Sequence, residues 1–239
     1  MLCSNCGQAL EGGDEAALFM CPVCGLAHEP GGGGLESFTP FTAAMTTELA
    51  VAGDVHHLAV WRLVVSIETP AGSAWERIRK AALPGPAYLY VPAFSLLRPL
   101  VQRLGVALVE AQPLLELAPG LPADARSRPA LVDTGASAGK AGGTAVGAGP
   151  DGSAHDALLS PPDFGPLSPV VVGRADSRTL AHFVYLAVES HETHDLRSVD
   201  YRLEVTGEEL LFIPALWDPR YIHESNWRLL LHEFDGLVA

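Results

Sequence analysis

Four cysteines carry the clearest chemistry in this chain. They form two matched pairs, Cys3-Ser-Asn-Cys6-Gly7 and Cys21-Pro-Val-Cys24-Gly25, with fourteen residues between Cys6 and Cys21. A two-residue gap lets one tight turn bring both sulfurs to the same side, and the Gly that follows lets the turn close. Four converging thiolates make a tetrahedral site of the kind that structural Zn2+ takes, at about 2.3 Å per bond, with no position left for a substrate. The expected cofactor is therefore a structural zinc ion on Cys3, Cys6, Cys21 and Cys24, which folds the segment rather than catalysing a reaction. No further cysteine is present for disulfides, as expected of a reducing compartment.

These turns resemble those of the zinc-ribbon class, over about residues 1–30. Ribbons of that class serve nucleic-acid binding, protein binding and enzyme architecture alike, so the resemblance implies a site and not a role. Cys-x-x-Cys-Gly and Cys-Pro-x-Cys-Gly also resemble the turns of rubredoxins, which would put iron in the same sulfurs for electron transfer. The gap between the pairs is shorter than that family uses, and Phe19 alone stands for its aromatic packing. Further along, Ala130-Leu-Val-Asp133-Thr134-Gly135 resembles the active-site turn of retropepsin-like aspartic proteases, and Val170-Val-Val-Gly173-Arg174 resembles their second landmark. That resemblance implies Asp133 as one half of a dyad across a dimer. The apolar strand that should follow is replaced by Ala138-Gly-Lys-Ala-Gly-Gly, which holds strand structure poorly.

Other candidate groups are weaker. Gly135-Ala-Ser137-Ala-Gly139 has the letters of a nucleophile elbow, and Gly139-Lys140 is half of a phosphate loop, but neither has the strand and helix that such motifs need. His56 and His57 are neighbours on an expected strand and so point to opposite faces. His191 and His194, with Glu192 and Asp195, are expected to complement a helix C-terminus, and His28 lies beyond the second cysteine pair and is not needed as a ligand. Trp61, Tyr201 and Trp227, each followed by Arg-Leu, are expected as core aromatics with the Arg reaching outward. Arg77, Arg79 and Lys80 form a small basic helix face.

The elements that must position these groups follow from pattern. Between the cysteine pairs, Glu11-Gly-Gly-Asp14 signals a turn and Ala16 to Met20 an apolar run, hence a hairpin feeding the second pair. So small a unit draws most of its folding free energy from the metal, on the order of 10 kcal/mol in isolated fingers. Gly31 to Gly34 is expected as a flexible joint. Val55 to Glu68 reads as a buried strand, and Ser73-Ala-Trp-Glu76 as the capping box of a helix ended by Pro84. Tyr88 to Pro92 is a second strand. Ser95 opens a helix with Leu97, Leu100, Val101 and Leu104 on one face, stopped by Gly105, after which Val106 to Val109 returns as a strand. Residues 119–165, rich in Gly, Ala, Pro and Ser, are expected as a flexible linker. A helix from Ser177 should turn Phe183, Val184, Ala187 and Val188 to the core, and Trp227 to Leu231 reads as a strand.

Two echoes suggest an internal duplication: Trp61-Arg-Leu-Val-Val with Tyr201-Arg-Leu-Glu-Val, and Leu89-Tyr-Val-Pro92-Ala with Leu211-Phe-Ile-Pro214-Ala. The expected architecture is α+β: a zinc ribbon over 1–30, a first half over 36–118, the linker, and a second half over 166–239, the halves being pseudo-repeats.

The net charge of −13 is spread unevenly. Residues 1–61 hold no Lys or Arg but seven acids, Glu11, Asp14, Glu15, Glu29, Glu36, Glu48 and Asp54. A ribbon that grips phosphates needs cations, so nucleic acid is not expected as a partner. With 48% apolar residues the chain has ample material for a core, and no stretch is long and apolar enough to span a membrane. The protein is expected in the cytoplasm. Its expected role is a non-enzymatic protein-interaction or scaffold function with a protein partner; the alternatives are rubredoxin-like electron transfer and an aspartic protease acting through Asp133.

Overall fold

A computed structural model describes residues 1–44, 55–69, 71–96, 98–122, 125, 167–192, 200–217 and 227–231. The ribbon is a three-stranded antiparallel sheet of β1 (Phe19–Met20), β2 (Ala27–Gly31) and β3 (Gly34–Phe38). Gly31 to Gly34 is no joint: Gly31 and Gly34 are register partners, and Gly32-Gly33 is the two-residue loop of the β2–β3 hairpin. Gly34, the first strand residue after that loop, has φ 129°, a conformation that a side chain rarely adopts.

The other described residues build a six-stranded sheet with three helices, an α+β architecture. Its strands are β4 (Phe41–Ala43), β5 (Val55–Glu68), β6 (Tyr88–Pro92), β7 (Leu117–Pro119), β8 (Arg202–Trp217) and β9 (Trp227–Leu229). The order is β6-β5-β8-β4-β7, with β9 also on β8. The central pair, β5 and β8, runs antiparallel from Val55↔Leu216 to Glu68↔Arg202, with a bulge between Val64 and Val65. Leu58 to Trp61 and Leu210 to Ile213 are fully buried on both strands, which explains why these stretches are apolar without alternation.

The pairing places the echoed stretches differently. The second members of both echoes fall in one segment, with Leu203 and Pro214 on the same strand β8, whereas the first members lie on separate strands, β5 and β6. Leu89 to Ala93 and Leu211 to Ala215 are both buried strand stretches, whereas Tyr201 to Val205 is half-buried to exposed. Strands from 36–118 and from 166–239 share one sheet. Pro119 belongs to β7, the Gly120 N–H donates to Pro40 O at 2.7 Å and Leu121 is buried, so the chain stays packed through this point.

Helix α1 (Ala74–Ala81) starts as its sequence requires. Ser73 Oγ accepts from the Glu76 N–H at 3.1 Å, while the Glu76 carboxylate reaches back to the Gly72 N–H at 2.6 Å. The buried carboxylate of Glu189 accepts from the Ala74 and Trp75 amides, both at 3.1 Å, so a distant residue satisfies two more first-turn donors. Helix α2 (Arg98–Ala111) overrides the expected stop at Gly105 and the expected strand over Val106 to Val109. Gly105 sits inside the helix for close approach: a Cβ there would lie 3.0 Å from Val184 Cγ2 and 3.1 Å from Tyr90 O. The helix ends instead at Gln112, in left-handed conformation with φ 41°, whose side-chain amide pairs with Tyr88 N and O, both at 2.8 Å. Helix α3 (Arg174–Glu192) buries Ser177, Ala181, Val184, Tyr185 and Val188, a stripe at helical spacing. Phe183, expected on that stripe, is 53% exposed, and Ala187 is half-buried.

Candidate metal centre

The two cysteine turns are built alike. In the first, the Gly7 N–H donates to Cys3 O at 2.9 Å and the Cys3 N–H to Gln8 O at 2.7 Å; in the second, the Gly25 N–H donates to Cys21 O at 2.9 Å and the Cys21 N–H to Leu26 O at 2.9 Å. Gly7 and Gly25 have φ of 75° and 74°, the left-handed conformation that a side chain resists. A Cβ at Gly7 would meet nothing within 4 Å, so backbone conformation and not space requires glycine there. The Cys24 N–H also points at Cys21 Sγ, at 3.5 Å.

The hairpin brings these turns together. Glu11 and Met20 exchange both backbone hydrogen bonds, at 2.8 and 2.7 Å, and Leu2 bridges Ala9. As a result all four sulfurs lie within 4.8 Å of one another. Cys3 and Cys24 are 3.6 Å apart and Cys6 and Cys21 3.4 Å, close to the ~3.8 Å edge of a tetrahedron with 2.3 Å arms. Cys3 and Cys21 are buried and Cys6 is exposed. With protons among the sulfurs, the Gln8 amide favours the Cys6 thiolate, but desolvation and the bonds from Cys21, Cys3 and Cys24 outweigh it and push the thiol up to about 12. The sequence-derived ligands Cys3, Cys6, Cys21 and Cys24 are therefore all brought together, and they could hold a metal ion.

The ribbon is fastened to the larger sheet rather than hinged from it. Leu18 bridges Val170, whose carbonyl accepts from the Ala17 N–H at 2.8 Å. Phe38 packs on the buried Trp61 with ring centroids 5.9 Å apart. Arg174, first residue of α3, lies over the Phe38 ring at 4.5 Å and donates its backbone N–H to Glu29 Oε1 at 2.7 Å. Its guanidinium faces Glu29, Glu36 and Glu208. A ribbon carboxylate thus stands at the positive end of α3. A Cβ at Gly173 would come within 2.8 Å of Glu29 Oε1, so a side chain there would push this carboxylate aside.

The remaining candidates disperse. His28, on β2, is fully buried, with neither ring nitrogen hydrogen-bonded, and burial lowers its pKa. His56 packs edge-on against Trp227 at 5.1 Å, while His57 is buried and its carbonyl accepts from the Ser168 N–H at 3.0 Å. Trp61 donates from Nε1 to Val172 O at 2.8 Å, Trp227 packs against Trp217, and Tyr201 stacks on Tyr185, so these aromatics are packing residues. The Arg62 side chain turns out to Glu209 and over Tyr88. Asp133, Ser137, Gly139, Lys140, His194 and Asp195 lie outside the described residues. Missed by sequence were Arg174 and Glu189, whose partners lie 145 and 115 residues away. Among the described residues no helix is long and apolar enough to cross a membrane. Comparison with protein families, curated proteins and solved structures finds no match.

Proposed function

We propose that this chain is a non-enzymatic interaction or scaffold protein whose ribbon is closed by a structural zinc ion on Cys3, Cys6, Cys21 and Cys24. One observation carries the reading: the chain itself supplies four convergent sulfurs, a full tetrahedral set that leaves no place for a substrate. The fastening of the ribbon through Leu18, Phe38 and Arg174 supports it, because a metal that sets the shape of a docked element acts on structure. Its partner is a protein and its compartment the cytoplasm.

The test is mild purification of the tagged chain from its own cells, with metal counted and co-purifying proteins identified on one sample. One zinc per chain, no colour and a stoichiometric protein partner are expected. Iron with visible absorbance would replace this reading by electron transfer at the same sulfurs. A bare monomer under every condition would remove the scaffold role.

A further inference from the structure

Where the ribbon meets the body, a cleft of about 330 Å3 opens, floored by Leu18, Met20, Leu121 and Val170 and edged by Pro22 of the second cysteine turn. We propose that this cleft is the docking site for a segment of a partner protein that presents one bulky apolar side chain next to Lys or Arg. The proposal rests on the protein-interaction reading and names the face and the chemistry of the contact.

The lining selects the anchor. Its buried hydroxyl, Ser168 Oγ, accepts from the Ala59 N–H at 2.9 Å, and around it Leu18, Met20, Leu121, Leu167 and Val170 make the lining mostly apolar, which favours an apolar side chain. A volume at the small end of ligand pockets suits a single large side chain. Val23, next to Pro22 in the chain, is 42% exposed, and Leu2, beside the Cys3 whose sulfur lies 3.6 Å from that of Cys24, is 66% exposed.

Charge selects the flank. Glu11, exposed at the rim, is the charged residue of the lining, and residues 1–61 contain no Lys or Arg. A second copy docked ribbon to ribbon would bring no cation to Glu11, and phosphates would meet repulsion there. A basic segment gains on both counts. Its cation meets Glu11 while its apolar side chain covers Leu18 and Met20.

The experiment uses the full metal-loaded chain and a dye-labelled short peptide with one Trp between Arg and Lys. Two controls replace the cations by Glu, or the Trp by Ser. Two variants alter the cleft: Glu11→Lys reverses the rim charge at an exposed position, and Gly13→Trp fills the space, since a Cβ at Gly13 meets nothing closer than 3.4 Å. The cationic Trp peptide should bind more weakly as salt is raised. Each variant and each control peptide should weaken it about tenfold, with amide shifts confined to residues around the cleft. Equal binding by the variants, shifts on another face, no binding at all, or dimers formed through the cleft would each overturn the proposal. Metal content and unfolding temperature report whether each variant is folded; if Gly13→Trp is not, Glu11→Lys decides. A natural partner mapped to another surface would sink this site and leave the interaction role standing.

Discussion

Buried in β2 with both ring nitrogens unpartnered, His28 is a residue whose chemistry works against the fold. Its depressed pKa means that the folded state resists protonation and the unfolded chain does not. The sign follows: its favourable contribution is complete above the ordinary His pKa of about 6.5 and is lost as pH falls below that value. Replacing it, as His28→Leu, should flatten the stability profile between pH 7 and 5 and leave neutral stability equal or about 1 kcal/mol higher, as read by urea unfolding at each pH. Gly7 makes the opposite case. Its φ of 75° is strain that Gly7→Ala must absorb, at about 1–2 kcal/mol, whereas Gly7→Asn should lose less. A chelator competition should show both as weaker metal binding. The cysteines and their glycines were legible in the sequence because a cysteine turn is local: six residues contain its backbone bonds. His28 was not, because burial on β2 is set by strands and turns that the spacing of histidines does not record.

At the scale of elements, local signals placed β6 and the start of α1 and found β5 and the end of α1 to within a few residues, and they failed where a distant neighbour decides. Gly105 is the instructive error. A glycine near the end of an apolar stripe has the appearance of a helix stop, yet this one lets α2 approach Tyr90 and Val184. Alanine normally stabilises a helix interior by about 1 kcal/mol over glycine. Here Gly105→Ala should instead lower stability, with thermal unfolding showing the inverted sign. Glu189 gives a second prediction. Removing its carboxylate leaves the Ala74 and Trp75 amides without their charged acceptor, so Glu189→Ala should cost about 2–3 kcal/mol. Glu189→Gln keeps one oxygen and should cost less. Denaturant unfolding of the two variants separates the lost bonds from the lost packing.

For the whole molecule, the ribbon and the sheet form one connected body through Leu18, Phe38 and Arg174. Chelating the metal should therefore raise hydrogen exchange in the ribbon and also at Val170 and the first turn of α3, while β5 amides opposite β8 stay protected. Exchange limited to residues before 39 would show the two parts to be independent. That unity was invisible in the sequence, where the run Gly31 to Gly34 suggested a joint. The β5–β8 pair has one more effect, and it concerns time. A ribosome makes Val55 to Glu68 long before it makes Arg202 to Leu216, and at 5–20 residues per second the interval is roughly seven to thirty seconds. Through that interval the apolar stretch Leu58 to Trp61 waits without its central neighbour, so during synthesis the newborn chain depends on shelter that the finished one does not need.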